Sequence, residues 1–456
     1  MSPLVPIMMF GWIPIVIGLF SKLPPRRAVI SAFLFAWLFL PMASYPISGL
    51  PDYTKMSATC CGIFISAALF DAQRLLSFKF RIIDLPMIMW CLCPIASSLS
   101  NGLGLYDGVS TALTQTVTWG FPYFIGRIYF SDLDSLQEYA IGIFIGGLIY
   151  TPFCWYEIRM SPQLHNMFYG FMQHDFSQTY RYGGWRPMVF MQHGLMVGAW
   201  MVSGSLIGLW LWISGTIKQI WGIPIKWLVL FLICTAVMCK STGAVALFIM
   251  GAGILFMTKV FKKKIMVICL LLIPVLYLST RAPGFWDGDN LALFAYNNFD
   301  EDRAISLYTR FDNENILREK ARLRPVFGWG GWGRNRVYNE EGIDITVTDS
   351  LWIIIFGTTG LVGLSSLTTA ILLPMMVLMR RYPVKEWFQP QLASVTVLAV
   401  LLGLYMVDNL LNAMINPIFM VAAGGISGLI KESLAEDFIK AENEPWMGTI
   451  YCPRFL

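Results

Sequence analysis

The sequence predicts an all-α, polytopic integral membrane protein of about 12–13 transmembrane helices with one large periplasmic loop. Composition, a series of long apolar runs, and the way charge is distributed between those runs all predict it. Of the 456 residues, 56% are hydrophobic, 15% aromatic and only 13% charged, and the mean hydropathy is +0.60. A soluble domain is about a quarter charged, so this chain is too apolar for a water-soluble fold.

The apolar runs fall at 4–20, 28–46, 56–71, 82–99, 109–126, 138–156, 188–213, 223–239, 242–258, 264–280, 350–379, 391–410 and 413–430. Charge or turn residues bound each one, and a helix needs about twenty apolar residues to cross the hydrocarbon core. The first run starts by Leu4 without a positive flank, so it reads as a retained span and not a cleaved signal. Net charge is a mild +5, and nothing in its pattern points to nucleic acid. The placement of cations says more than their sum. Lys22, Arg26 and Arg27, then Arg74, Lys79 and Arg81, Lys218 and Lys226, Lys259 to Lys264, and Arg380, Arg381 and Lys385 fall on one side. Cations gather in cytoplasmic loops. That side is therefore expected to be cytoplasmic, with the tail at 431–456.

By alternation the polar segments at about 157–187 and 281–348 lie outside, together with the N-terminus. The expected organisation is ten spans within 1–280, the large loop at 281–348, three spans within 349–430, and the tail. Nine Cys lie in apolar runs or the tail, which implies no disulfide framework, and Cys91-x-Cys93 is not metal-ligand spacing. No metal and no cofactor is expected.

The large loop carries Arg303, Arg310, Arg318, Arg322, Arg324, Arg334 and Arg336 against about eleven Asp and Glu. Exporting so many cations is disfavoured, so their presence suggests anionic ligands. Asp302 to Arg324 lacks Gly and Pro and reads as a helix stopped by Pro325. The following Pro325-Val-Phe-Gly-Trp-Gly-Gly-Trp-Gly-Arg334 offers the flat faces of Trp329 and Trp332 to a sugar or lipid headgroup; a packed lid accounts for it equally well.

At the edge of the loop, Asp349-Ser350, nine residues and Gly360-Leu-Val-Gly363 resemble the signature of the O-antigen ligase and O-antigen polymerase superfamily. Arg310, a helix and Pro325-Val-Phe-Gly-Trp-Gly resemble the family's Arg, helix and Pro-Leu-x-Gly-x-Gly run. Arg186-Pro-Met-Val-Phe190, Ser241-Thr-Gly-Ala244 and Phe121-Pro-Tyr-Phe-Ile-Gly-Arg127 are similar to further family stretches, so the likeness spans about 120 to 365. Asp349 stands where ligases of the family keep His, and Thr242 where the family often has Arg. Polymerases often place Asp there, so the resemblance implies a glycan polymerase.

The resemblance implies transfer of a glycan from undecaprenyl diphosphate to an acceptor hydroxyl at the periplasmic face, without nucleotide or metal. Charge building on the departing diphosphate would be stabilised by Arg, whose planar fork pairs with phosphate oxygens. Arg186 and Arg310 are first choices for that role, with Lys240, Arg281, Arg334 and Arg336 as further cations near the substrate. Asp349 is assigned as the base for the acceptor proton. Plainer accounts exist for each. Arg186 could anchor a span, Asp349 could cap a helix, and Arg310 could pair with Asp302, Asp312 or Glu314 on a solvated face. His193 lies in an apolar run, where a polar group normally faces the protein interior, and a packed His explains it without chemistry. Asp408, Asn409 and Asn412 fall at the same outer surface. The expected setting is the bacterial inner membrane, with the lipid-linked glycan, the bilayer and a chain-length regulator as partners. An en bloc ligase and a transporter are the competing classes, though no internal repeat of the transporter kind is visible.

Overall fold

A computed structural model describes residues 2–298 and 301–430. The tail expected inside, and the side chains of Asp302 and Arg303, lie outside the described residues. The first half of the chain forms α1 (Leu4–Lys22), α2 (Pro25–Phe39), α3 (Lys55–Phe70), α4 (Ala72–Leu76), α5 (Leu85–Ser100), α6 (Leu105–Gln115), α7 (Phe121–Tyr129), α8 (Leu133–Met160) and α9 (Leu164–Tyr169). The second forms α10 (Gly194–Ile213), α11 (Ile225–Met238), α12 (Thr242–Phe261), α13 (Ile265–Arg281), α14 (Asp289–Asn298), α15 (Glu301–Arg322), α16 (Leu351–Arg381), α17 (Pro390–Asp408) and α18 (Pro417–Gly428). Strands among the described residues are confined to short hairpins, such as Tyr180–Arg181 with Gly184–Trp185.

Helix is the form an apolar chain takes in lipid, because the helix satisfies its own backbone where no water can. Among the described residues, seven helices are long and apolar enough to cross a membrane: α1, α5 with the turn before it, α8, α10, α12, α16 and α17. The outer ones show what surrounds them. Ile7 on α1 is 62% exposed and Ile249 on α12 is 65% exposed, a surface suited to lipid and not to water. In contrast, α10 and α17 form the core, with Trp200 and Trp210 nearly fully enclosed.

Two runs are shorter as helices than as apolar stretches. The run at 28–46 stays helical only to Phe39, and then enters a hairpin pairing Ser44–Tyr45 with Tyr53–Thr54. Pro41, Pro46 and Pro51 supply no amide hydrogen for helix or ladder. The run at 413–430 is helical only over the 12 residues of α18, about 18 Å of rise, because the Asn416 side chain caps the helix by accepting from Ile418 N at 3.0 Å. This short helix packs directly on α7. A Cβ on Gly126 would stand 2.1 Å from the Val421 oxygen, and one on Gly424 1.9 Å from the Tyr123 oxygen. Small residues allow such backbone contact between membrane helices.

The helix ends collect on two faces. On one, Arg26 meets Asp132, Arg81 reaches the Ile430 carbonyl, and Lys264 reaches that of Met379. This face holds the cation-rich turns. On the other, Ser2 N donates to Tyr169 O, the Tyr169 hydroxyl to Phe39 O at 2.7 Å, and Asn101 to Gly328 O at 2.8 Å. Both long polar segments lie on this second face, termed the loop face.

Candidate functional site

The loop face is built on one buried carboxylate. Glu314 of α15 accepts from Arg281 Nη2 at 2.6 Å, the Tyr277 hydroxyl at 3.2 Å, Trp352 Nε1 at 3.1 Å and the Ser350 hydroxyl. It thereby ties α13, α15 and α16 together. Arg281 is fully buried, donates also to Asn315 Oδ1 at 2.8 Å and Trp286 O at 3.2 Å, and lies 5.1–5.8 Å from the rings of Trp286, Phe311 and Trp352. The expectation of Arg281 as a substrate contact is corrected: its donors are enclosed, and it anchors the loop.

One turn before Glu314, Arg310 faces a different set. Its Nη1 donates to Leu411 O at 3.0 Å and Asn412 Oδ1 at 3.3 Å, and its Nε lies 3.4 Å from Asp349 Oδ2. Asn412 in turn donates to Asp408 Oδ1 at 2.8 Å. Asp349 does not cap α16. Ser350 holds the cap position without a capping bond, and the Leu351 amide is taken by the carbonyls of Asn409 at 3.2 Å and Asn412 at 3.0 Å. The Asp349 carboxylate is thus left 45% exposed beside Arg310.

The shorter loop brings a second group. Glu157 at the end of α8 accepts from Leu164 N at 2.9 Å, Met188 N at 2.8 Å and Val189 N at 2.7 Å, and the Tyr150 hydroxyl accepts from Phe190 N at 3.0 Å. Residues 188–191 are therefore buried but not helical, and α10 begins only at Gly194. Irregular backbone at such depth survives where protein satisfies it. The span expected from 188 is corrected accordingly.

Arg186 enters just before this segment, with its side chain over Gly194, where a Cβ would stand 2.4 Å from Arg186 Cδ. It is 6% exposed, Nη2 donates to Lys240 O at 3.4 Å, and Nε has no hydrogen-bond partner among the described residues. Burial first, then the nearby Arg181, and more weakly Arg310, pull its pKa down to about 10. Arg186 and Arg310 are thus within electrostatic reach of each other. His193 caps α10, its Nδ1 accepting from Leu195 N at 3.0 Å, and its ring packs edge-on against His174 at 4.6 Å. Burial, then His174, Arg186, Arg181 and Arg310, push its pKa down to about 3. His193 is accordingly a neutral cap and does not stand at membrane depth within a span.

The remaining candidates are dispersed. Lys240 joins the Arg186 group through its carbonyl, while its ammonium donates to Tyr182 O at 2.9 Å. Arg334 turns to Asp107 of α6 at 3.6 Å, and Arg336 is held by Asp344 and by Thr348 Oγ1 at 3.1 Å. Trp329 Nε1 donates to Lys320 O at 2.8 Å, with the Arg324 guanidinium 5.4 Å from its ring. Trp332 is 79% exposed.

The glycine-rich turn itself plugs a break in α16. At Gly360 the helix leaves helical geometry (φ 66, ψ −161), and the freed groups bond to the turn. Leu361 N donates to Pro325 O at 2.8 Å and Val362 N to Val326 O at 3.2 Å, while Trp329 N donates to Gly357 O at 2.8 Å and Gly330 N to Thr358 O at 3.0 Å. Sequence reasoning passed over Glu157, Arg181 and the central part of Glu314. A carboxylate at the end of an apolar run was the available signal for Glu157, since such groups are kept only with partners.

Among the described residues, no group of three or more His, Cys, Asp or Glu is placed to hold a metal ion. No protein-family model matches the chain, and no curated protein is significantly similar to it.

Proposed function

We propose that this membrane protein is a glycosyltransferase that joins oligosaccharide repeat units carried on undecaprenyl diphosphate, as in exopolysaccharide or O-antigen assembly. The loop face is its active face, taken as periplasmic on a bacterial inner membrane. The observation that carries the reading is the exposed Asp349 carboxylate beside Arg310, with Arg310 also within electrostatic reach of Arg186, which lies close to Arg181. Arg186 has an unused donor and lies among cations, an environment that an anion would relieve.

The chemistry divides between these groups. The acceptor hydroxyl oxygen attacks the anomeric carbon while Asp349 takes its proton. The bond from that carbon to the diphosphate oxygen breaks, and its electron pair leaves with the lipid diphosphate. Arg186 and Arg310 stabilise the charge that develops there, more in the transition state than before it. The exposed Trp332 face is suited to stack on sugar.

The test is glycan profiling in a deletion strain complemented with wild type, Asp349→Asn or Arg186→Ala, with membrane levels checked by immunoblot. Loss of high-mass polymer with single repeat units still exported supports the polymerase. Accumulation of long, untransferred lipid-linked chains would instead assign a ligase, and repeat units held on the cytoplasmic leaflet a transporter.

A further inference from the structure

The face opposite the loops holds a cavity of about 450 Å³ between the α3–α4 turn, residues 77–81 and the end of α7. Its lining includes Asp71, Arg74, Lys79, Arg81, Arg127 and Ser131. The floor is electrically closed: Arg127 sits on Asp84 with bonds of 2.7 and 3.2 Å, both groups are almost wholly buried, and the Tyr123 hydroxyl donates to the same carboxylate at 3.1 Å. The walls are not closed. Arg74 lies 3.0 Å from Asp71, but Arg81 and Lys79 add two cations, and Arg81 spends one donor on the neutral Ile430 carbonyl. The cavity therefore carries surplus positive charge and is within the ~300–1,000 Å³ range of small-molecule sites.

The rim, formed by the chain neighbours of the lining residues, has the opposite character. Leu76 is 86% exposed and Ile82 91%, with Phe70 and Phe80 also exposed. Cations and large apolar side chains thus alternate from 78 to 82, the pattern of a segment lying in the membrane interface. A topology anchor requires only charge; it requires no cavity and no apolar rim. We infer that this cavity binds the phosphate headgroup of an anionic lipid, its acyl chains running out over Leu76, Phe80 and Ile82. The inference does not depend on the reaction proposed above. Lipid is favoured over a free phosphate because the rim offers apolar surface that only a tailed ligand would cover, at the cation-rich face where anionic headgroups are attracted.

Native mass spectrometry of the detergent-purified full chain tests this, with titration by phosphatidylglycerol and, separately, phosphatidylcholine. The expected result is preferential retention of phosphatidylglycerol, weakened about fivefold in Lys79→Gln, the ratio for roughly 1 kcal/mol per interfacial cation. Lys79 is exposed, so this variant is expected to fold; Arg74→Gln serves as the second variant, with folding checked by thermal melting. Equal retention of the two lipids, or unchanged affinity in both folded variants, overturns the site. Displacement of the lipid by millimolar inorganic phosphate or glycerol 3-phosphate overturns the lipid assignment and gives the cavity to a free anion.

Discussion

Arg310 and Asp349 meet at the junction of the loop helix and the span that follows it, Nε to Oδ2 at 3.4 Å, with the whole glycine-rich turn between them in sequence. The contact is half open to solvent, so its worth to stability is at most about 1 kcal/mol. What it fixes is direction: Arg310 is also held by Leu411 and Asn412, and the carboxylate is oriented without being enclosed.

The first prediction separates chemistry from folding at this pair. Asp349→Asn should leave the melting temperature nearly unchanged while polymer formation by purified protein falls about 10²–10⁴-fold, the usual contribution of a general base. Arg310→Lys keeps the charge but loses the fork and should recover only part of the activity lost in Arg310→Ala. Full activity in Asp349→Asn would remove the base from the mechanism.

Glu314 and Arg281 should behave in the opposite way. Their pair is buried and shares its oxygens with Tyr277, Ser350 and Trp352. Glu314→Gln leaves a buried guanidinium uncompensated and should cost about 3–5 kcal/mol, seen as a lowered midpoint in detergent melting curves. Arg281→Met in the same chain should restore part of that loss, because the two residues act as one unit. Additive losses in the double variant would show that the pair is not coupled.

Legibility from sequence follows from how local each feature is. Helix positions were legible because an apolar run must bond to itself in lipid, as in α12, expected at 242–258 and found at Thr242–Phe261. The start of α10 was not, because Met188 to Met191 is apolar yet bonded to Glu157, Tyr150 and Gln173 from other segments. Charge alone could not tell Arg281 from Arg310. Both are loop cations, and only packing buries one and leaves the other beside Asp349. Likewise the Pro325 to Gly333 turn looked like a sugar platform or a lid, and its backbone proves to be the missing partner of α16.

That turn gives the third prediction. Gly360 has backbone angles that only glycine adopts readily, and a Cβ there would stand 2.3 Å from the Val326 oxygen. Gly360→Ala should cost at least the ~1–3 kcal/mol of such a conformation and expel the turn. Limited proteolysis should then cut between 325 and 336 faster than in wild type. Unchanged cleavage would mean that α16 straightens without releasing the turn.

His193 sets a pH dependence whose direction follows from its surroundings. Unfolded, its imidazole takes a proton near its ordinary value of about 6.5; folded, burial and then His174 with the nearby arginines hold it to about 3. Between those values the unfolded chain binds more protons, so stability falls as pH drops from about 6.5 toward 3 and is unaffected by this group at higher pH. His193→Asn keeps a side-chain acceptor for the Leu195 amide and should match wild type at pH 7.5 within about 1 kcal/mol. Below pH 6 it should melt higher than wild type, which differential scanning fluorimetry from pH 5 to 8 would show. Parallel curves for the two proteins would mean that His193 keeps its ordinary pKa of about 6.5 in the fold. It would then add its charge to Arg186 and Arg310 only below about pH 6.5, and at neutral pH the site would keep the cations proposed.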